Sequence, residues 1–211
     1  VDAATRAAEQ VAAADLGGYG AVVLLGHPSD GLRASPRRDA VVEEVADLVA
    51  RCAPATVLTH DLADRHATHV AVAGITVDAL RRLPAGSRPG RLLACEGWRS
   101  LDWLAEGERV HLDVTGHEDL AVDLLAAHAS QVAAKRYDRA AAGRRRANAT
   151  FADPLAPDDR TEVVLAMDLT PLVVDDRLDP VAFLQAALAR SATEAGDRLR
   201  ALRPRAPHDG R

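Results

Sequence analysis

Short apolar runs alternate along this chain with segments whose apolar residues recur at helical spacing, and that alternation restricts the folds open to it. Residues 3–15 carry an alanine-rich helical pattern closed by Gly17 and Gly18, and Ala21-Val22-Val23-Leu24-Leu25 follows as a predicted buried strand. Pro36 opens a second helix through Val41, Val42, Val45, Leu48 and Val49; residues 55–59 form a second predicted strand. A third helix covers Val70 to Leu83, and Pro84-Ala85-Gly86-Ser87 makes a turn. Further strands are predicted at Arg91–Cys95 and Arg109–Val114. Strand followed by helix, repeated, is the pattern of an α/β domain with a largely parallel sheet.

The rest of the chain continues with a helix over 118–134, a Pro/Asp-rich connection over 152–160, a strand over 161–167 and a closing helix over 181–202. Residues 1–202 read as one domain, 118–202 being its extended carboxyl-terminal part, and 203–211 as a flexible tail. The core must be built from Ala, Val and Leu, because only 3% of the 211 residues are aromatic. A net charge of −5 disfavours nucleic acid as the main partner, and no apolar run reaches the ~20 residues of a membrane span. The first residues lack a secretory signal pattern, and Cys52 and Cys95 make no C-x-x-C pair, so a cytoplasmic location is expected. Both cysteines sit in apolar contexts and are expected in the core.

Functional signals concentrate in Asp61-Leu62-Ala63-Asp64-Arg65-His66-Ala67-Thr68-His69. His66 and His69 stand one helical turn apart at a strand-to-helix junction, where open α/β folds collect ligands. Two imidazoles on one face make half a zinc site, with Asp64, or Asp61, available to orient a ring. The same residues would serve equally to cap an exposed helix start. A second polar turn, His27-Pro28-Ser29-Asp30, offers two more ligand types, although Pro-Ser-Asp favours a turn for local reasons alone. Glu96 to Trp103 groups polar side chains with both tryptophans, Trp98 and Trp103, and Trp98 beside Arg99 could wall a sugar cleft. Lys135 to Arg146 holds six basic residues against one acid, a composition suited to phosphate or to a solvated face.

Taken in order, Arg6-Ala7-Ala8-Glu9-Gln10, the Asp-x-His-x-x-His element ending at His69, and His128-Ala129-Ser130-Gln131 resemble the PIG-L/LmbE-like family of zinc-dependent N-acetylglucosaminyl deacetylases. The resemblance extends through Lys135–Asp138, Gly143–Thr150 and Met167–Pro171. It implies a Rossmann-like three-layer α/β/α fold and removal of an N-acetyl group from an amino-sugar conjugate. It also implies a zinc ligand at His69, an oxyanion-stabilising His66 and a substrate contact at Arg6. The family's Ala-His-Pro-Asp-Asp motif, which supplies two further ligands and the general base, has no counterpart ahead of Arg6. The expectation is therefore that the first strand is missing and that this chain by itself is inactive; the alternative is a non-catalytic protein of the same fold that binds a sugar conjugate.

Overall fold

A computed structural model describes residues 2–33, 36–151 and 155–202. The predicted tail over 203–211 lies outside these residues, as do parts of the 152–160 connection. Four strands form one sheet: β1 (Thr56–His60), β2 (Arg91–Cys95), β3 (Arg109–Asp113) and β4 (Val163–Asp168), in the order β1-β2-β4-β3. β1 and β2 run parallel, and β4 is antiparallel to both β2 and β3. Three strands thus point one way, and the last in sequence is inserted between two of them in reverse. The sheet is mixed, and the α/β class expected from the sequence stands.

The helices are α1 (Ala3–Leu16), α2 (Arg37–Cys52), α3 (Ala67–Arg82), α4 (Glu118–Ala126), α5 (Ala129–Lys135), α6 (Tyr137–Ala149), α7 (Thr170–Val174) and α8 (Pro180–Ala201). Consecutive residues Leu92, Leu93 and Ala94 of β2 are all buried, as are Leu165, Ala166 and Met167 of β4. Successive side chains of a strand point to opposite faces, so both faces of these central strands are covered. Val42 and Val77 bring α2 and α3 into the same core as Leu80, Leu92 and Val163.

Local chemistry explains the starts of two helices. Asp2 and Asp179 cap α1 and α8 by accepting from Thr5 N and Ala182 N, and Pro180 opens α8, where its missing N–H costs nothing. Arg88 ties α3 to the α7 segment: its guanidinium donates to the carbonyls of Leu83 (3.0 Å), Arg81 (2.8 Å) and Val173 (2.5 Å) and pairs with Asp176.

Several expectations are corrected. Ala21–Leu25 joins no strand, and Val23 and Leu24 are exposed. An apolar run is a strand only where a neighbour accepts its ladder, and this segment has none among the described residues. The helix over 118–134 is two helices, α4 and α5, separated at Ala127 and His128. Cys52 is exposed at the end of α2, and Cys95 is only partly buried. Part of the basic cluster is drawn into ties within the fold. Arg145 pairs with buried Glu162 at 2.7 Å, Arg146 approaches the same carboxylate at 3.5 Å, Arg136 pairs with Asp138, and Arg144 donates to the Gly97 and Trp98 carbonyls.

Glu162 is 2% exposed, and removing one partner of a buried pair strands the other charge. Glu162→Ala is expected to cost about 3–5 kcal/mol in urea unfolding, whereas Arg51→Ala, which breaks an exposed pair with Asp47, should cost less than about 1 kcal/mol.

Candidate metal centre

The loop between β1 and α3 converges on the carboxylate of Asp64. This side chain is fully buried, and its oxygens accept from His66 N at 2.8 Å and Gly97 N at 3.2 Å. It therefore fastens the loop after β1 to the loop after β2. Burial alone would push the Asp64 carboxyl up, but the two backbone N–H groups and the neighbouring His69 ring outweigh it and hold the group below its ordinary range. Asp64 is an anion at neutral pH.

Three imidazoles gather beside it. His60 ends β1, His66 caps α3, and His69 lies in the first turn of that helix. The rings of His60 and His69 stack at 3.9 Å with an interplanar angle of 3°, and His66 lies 4.7 Å from His69. The turn spacing of His66 and His69 thus does place their rings together. What the sequence pattern missed is His60: nothing in Thr56–His60 marks its last residue as a site, and only the start of α3 brings His69 under it.

The donor atoms of His60, Asp64 and His69 all lie within 4.8 Å of one another. Ligands at 2.0–2.1 Å from a tetrahedral zinc are about 3.4 Å apart, so a small contraction of these side chains would let them share one ion. A second observation supports the fit. His69 Nδ1 is buried and comes within 3.1 Å of Asp64 Oδ2, but its direction misses the carboxylate, and it has no hydrogen-bond partner. A buried ring nitrogen without a partner is costly unless something else occupies its lone pair. Burial, and then the adjacent His69, lower the pKa of His60, which keeps its ring neutral and able to ligate.

His66 has a different role. Its Nδ1 accepts from Thr68 N at 3.3 Å, the capping function that the sequence left open. That bond assigns the ring proton to Nε2, leaving one donor for another acceptor. His66 and His69 line a cavity of about 480 Å³, together with Arg6, Trp98, Tyr137 and Arg144. Trp98 and Tyr137 meet edge to face at 5.8 Å, and Arg144 holds the Trp98 loop in place through its carbonyls. Arg6 of α1 also lines this cavity. Trp103 instead packs against the core, and Arg99 is taken up by Glu96 and the Ala63 carbonyl.

His27 and Asp30 do not join the cluster: His27 Nε2 meets Glu44 Oε2 at 2.8 Å, and Asp30 accepts from Gly31 N. The His-x-Ser-Gln element is structural in its serine, since Ser130 donates from both N and Oγ, each at 2.7 Å, to Glu9 of α1. Gln131, next to it, lines the cavity.

With the fold and site in hand, comparison with known proteins gives a narrow result. No family model matches the chain, and no curated protein matches it. Among solved structures it is similar to the conserved protein TT1542 from Thermus thermophilus, with a TM-score of 0.65 and 19% identity over 85% of this chain and 79% of that one. It is also similar to GalB, the 4-carboxy-2-hydroxymuconate hydratase from Pseudomonas putida, with a TM-score of 0.52 and 18% identity over 79% and 71% of the two chains. At these identities the likeness is one of fold. The family assignment drawn from the motifs is not upheld: no family model and no curated protein matches, and what the comparisons support is the fold alone. Part of what the motifs matched is packing chemistry, as the Ser130–Glu9 tie illustrates.

One further acid sits under the cluster. Asp61 is fully buried; Oδ1 accepts from Ala63 N at 2.7 Å and Oδ2 has no hydrogen-bond partner. Burial first, then the charges of Glu96 and Asp64, push its pKa from 3.8 up to about 6. The folded state therefore prefers Asp61 protonated. The stability this confers is fully present below pH 3.8 and is lost as pH rises through about 6. In chelator-treated protein, wild type should lose on the order of 2–3 kcal/mol more than Asp61→Asn between about pH 4 and about pH 7, read by urea unfolding.

Proposed function

We propose that the chain is a divalent-metal-dependent hydrolase acting on the N-acyl group of an amino-sugar conjugate, with zinc held by His60, Asp64 and His69. The convergence of these three donors beside an aromatic-walled cavity carries the reading. Two imidazoles and one carboxylate with an open fourth position are a donor set common to catalytic zinc. An ion bound there would supply Lewis-acid polarisation of the acyl carbonyl.

The chain's own residues would support the carbonyl oxygen and hold the sugar. His66, fixed by its bond from Thr68 N, would offer Nε2–H to the carbonyl oxygen as negative charge grows on it, a contribution of about 3 kcal/mol when such a donor is preorganised. Trp98 and Tyr137 would take the face of a sugar ring and exclude water from it. Arg6 would contact hydroxyl or anionic groups at the cavity rim. Asp64 serves twice: as ligand, and as the acceptor that keeps the Gly97 loop against the site. This ligand set differs from that implied by the motif resemblance, in which His69 alone came from this region and Asp64 stood behind it.

Calorimetric titration of the purified chain with Zn²⁺ is the first test. His60→Ala, Asp64→Ala and His69→Ala should each weaken binding by at least about tenfold, while His66→Ala should leave it unchanged. Acetate release from N-acetylglucosamine conjugates should then require zinc and fall about 100-fold or more in His66→Ala at unchanged metal content. Zinc binding indifferent to His60 would sink the ligand assignment. Sugar binding without acetate release would favour a non-catalytic binder.

A further inference from the structure

The cavity beside the metal centre has an annex. A second space of about 180 Å³ shares Gly97, Ala141 and Arg144 with it, so the same three residues wall both. Gly97 is set against the metal centre: a Cβ there would stand 3.6 Å from His69 Cε1 and 3.8 Å from Asp64 Oδ2. The annex thus begins beside the proposed ligands and continues along α6. Tyr137, Ala141, Arg144, Arg145 and Asn148 fall within about 100° of one another on that helix, and this face lines the cavity at its start and the annex towards its end.

We propose that the annex is an anion subsite, in which Arg144 and Arg145 recognise a phosphate or carboxylate carried by the group to which the amino sugar is joined. This rests on the hydrolase reading for the sugar and adds the charge of what is attached to it.

The composition of the wall is the first support. The guanidiniums of Arg99, Arg144 and Arg145 line the annex against one carboxylate, Glu96. Glu96 is already taken up, since it accepts from Arg99 Nε at 2.6 Å and from Leu101 N at 3.1 Å. Arg144 donates to the carbonyls of Gly97 and Trp98 and pairs with no carboxylate among the described residues. Its positive charge is left for a ligand.

Arg145 supplies the second support. Its Nε donates to Glu162 at 2.7 Å, a carboxylate that Arg146 also approaches at 3.5 Å, while its Nη2 is buried without a hydrogen-bond partner. A buried N–H on a charged group is costly without an acceptor, and an oxyanion in the annex would provide one after a small rotation of the guanidinium. The larger cavity repeats the bias: Arg6 and Arg144 line it, and among the described residues no aspartate or glutamate does. Planar guanidiniums match the paired oxygens of phosphate and carboxylate, whereas a neutral group in their place would desolvate the charges and leave them unanswered.

Calorimetric titration of the chelator-treated full chain tests this with neither zinc nor turnover in the signal. The probes are N-acetylglucosamine carrying phosphate at its anomeric oxygen, its carboxymethyl glycoside and its neutral methyl glycoside. At low salt at least one anionic probe should bind about tenfold or more tightly than the neutral one, with the preference shrinking as salt rises. Which probe does so tells phosphate from carboxylate. Ser100→Asp, which sets a carboxylate into the annex wall, should reduce the preference to less than about twofold. Arg145→Gln combined with Glu162→Gln removes both charges of the buried pair, so that neither is stranded, and should cut the preference at least about threefold with an unchanged circular dichroism spectrum. Equal affinity for all three probes, or a preference that survives either variant, would overturn the proposal. Acetate release without an anion preference would remove the annex and leave the hydrolase reading standing; a preference without acetate release would do the reverse.

Discussion

The carboxylate of Asp64 is the constraint on which the site depends. It is removed from solvent, yet it sits where two loops with no sequence relation must meet, and it accepts a backbone N–H from each. A buried carboxylate without such donors would be driven to take a proton. With them it stays ionised and holds the start of α3 against the loop that follows β2. His66 and His69 are placed by the same event, since the N–H that Asp64 accepts belongs to His66 itself. The charge that makes the site chemically interesting is also what builds it.

Around that anchor the molecule uses few aromatic residues. The core is made of branched aliphatics and alanine, with Leu80, Leu92, Leu93, Leu169 and Leu172 at its centre. Arginines perform much of the long-range tying. Arg88 and Arg81 gather carbonyls of the α7 segment, Arg145 closes on Glu162, and Arg144 braces the Trp98 loop. A planar guanidinium with several fixed donors satisfies more than one backbone acceptor at a helix end, which a lysine cannot do with the same geometry. Here it shows in Arg144, which meets the carbonyls of both Gly97 and Trp98.

The site divides its labour between groups with fixed and free nitrogen atoms. His66 commits one nitrogen to capping α3 and keeps the other as a donor. His69 leaves Nδ1 without a partner in a buried position, and His60 stacks flat on it with a depressed pKa. A helix cap needs one satisfied ring nitrogen, whereas a ligand needs a neutral ring with a lone pair to spare, and neighbouring histidines of one short segment fill both roles.

Local order fixed much of this in advance. The periodicity of Val70–Leu83, the start at Pro36, the strand at Arg91–Cys95 and the spacing of His66 and His69 all act over a few residues, and each has its expected counterpart in the structure. The fate of Ala21–Leu25 could not be read that way, because hydrophobic composition says that a segment favours burial and says nothing of which neighbour will accept its backbone. Nor could the direction of β4, which depends on the path through α4, α5 and α6 rather than on its own residues. His60 is the sharpest case. Its sequence neighbours make it the end of a strand, and only packing of α3 over β1 sets its ring against His69, because a donor set assembled from a strand and a helix exists in three dimensions before it exists in any one stretch of chain.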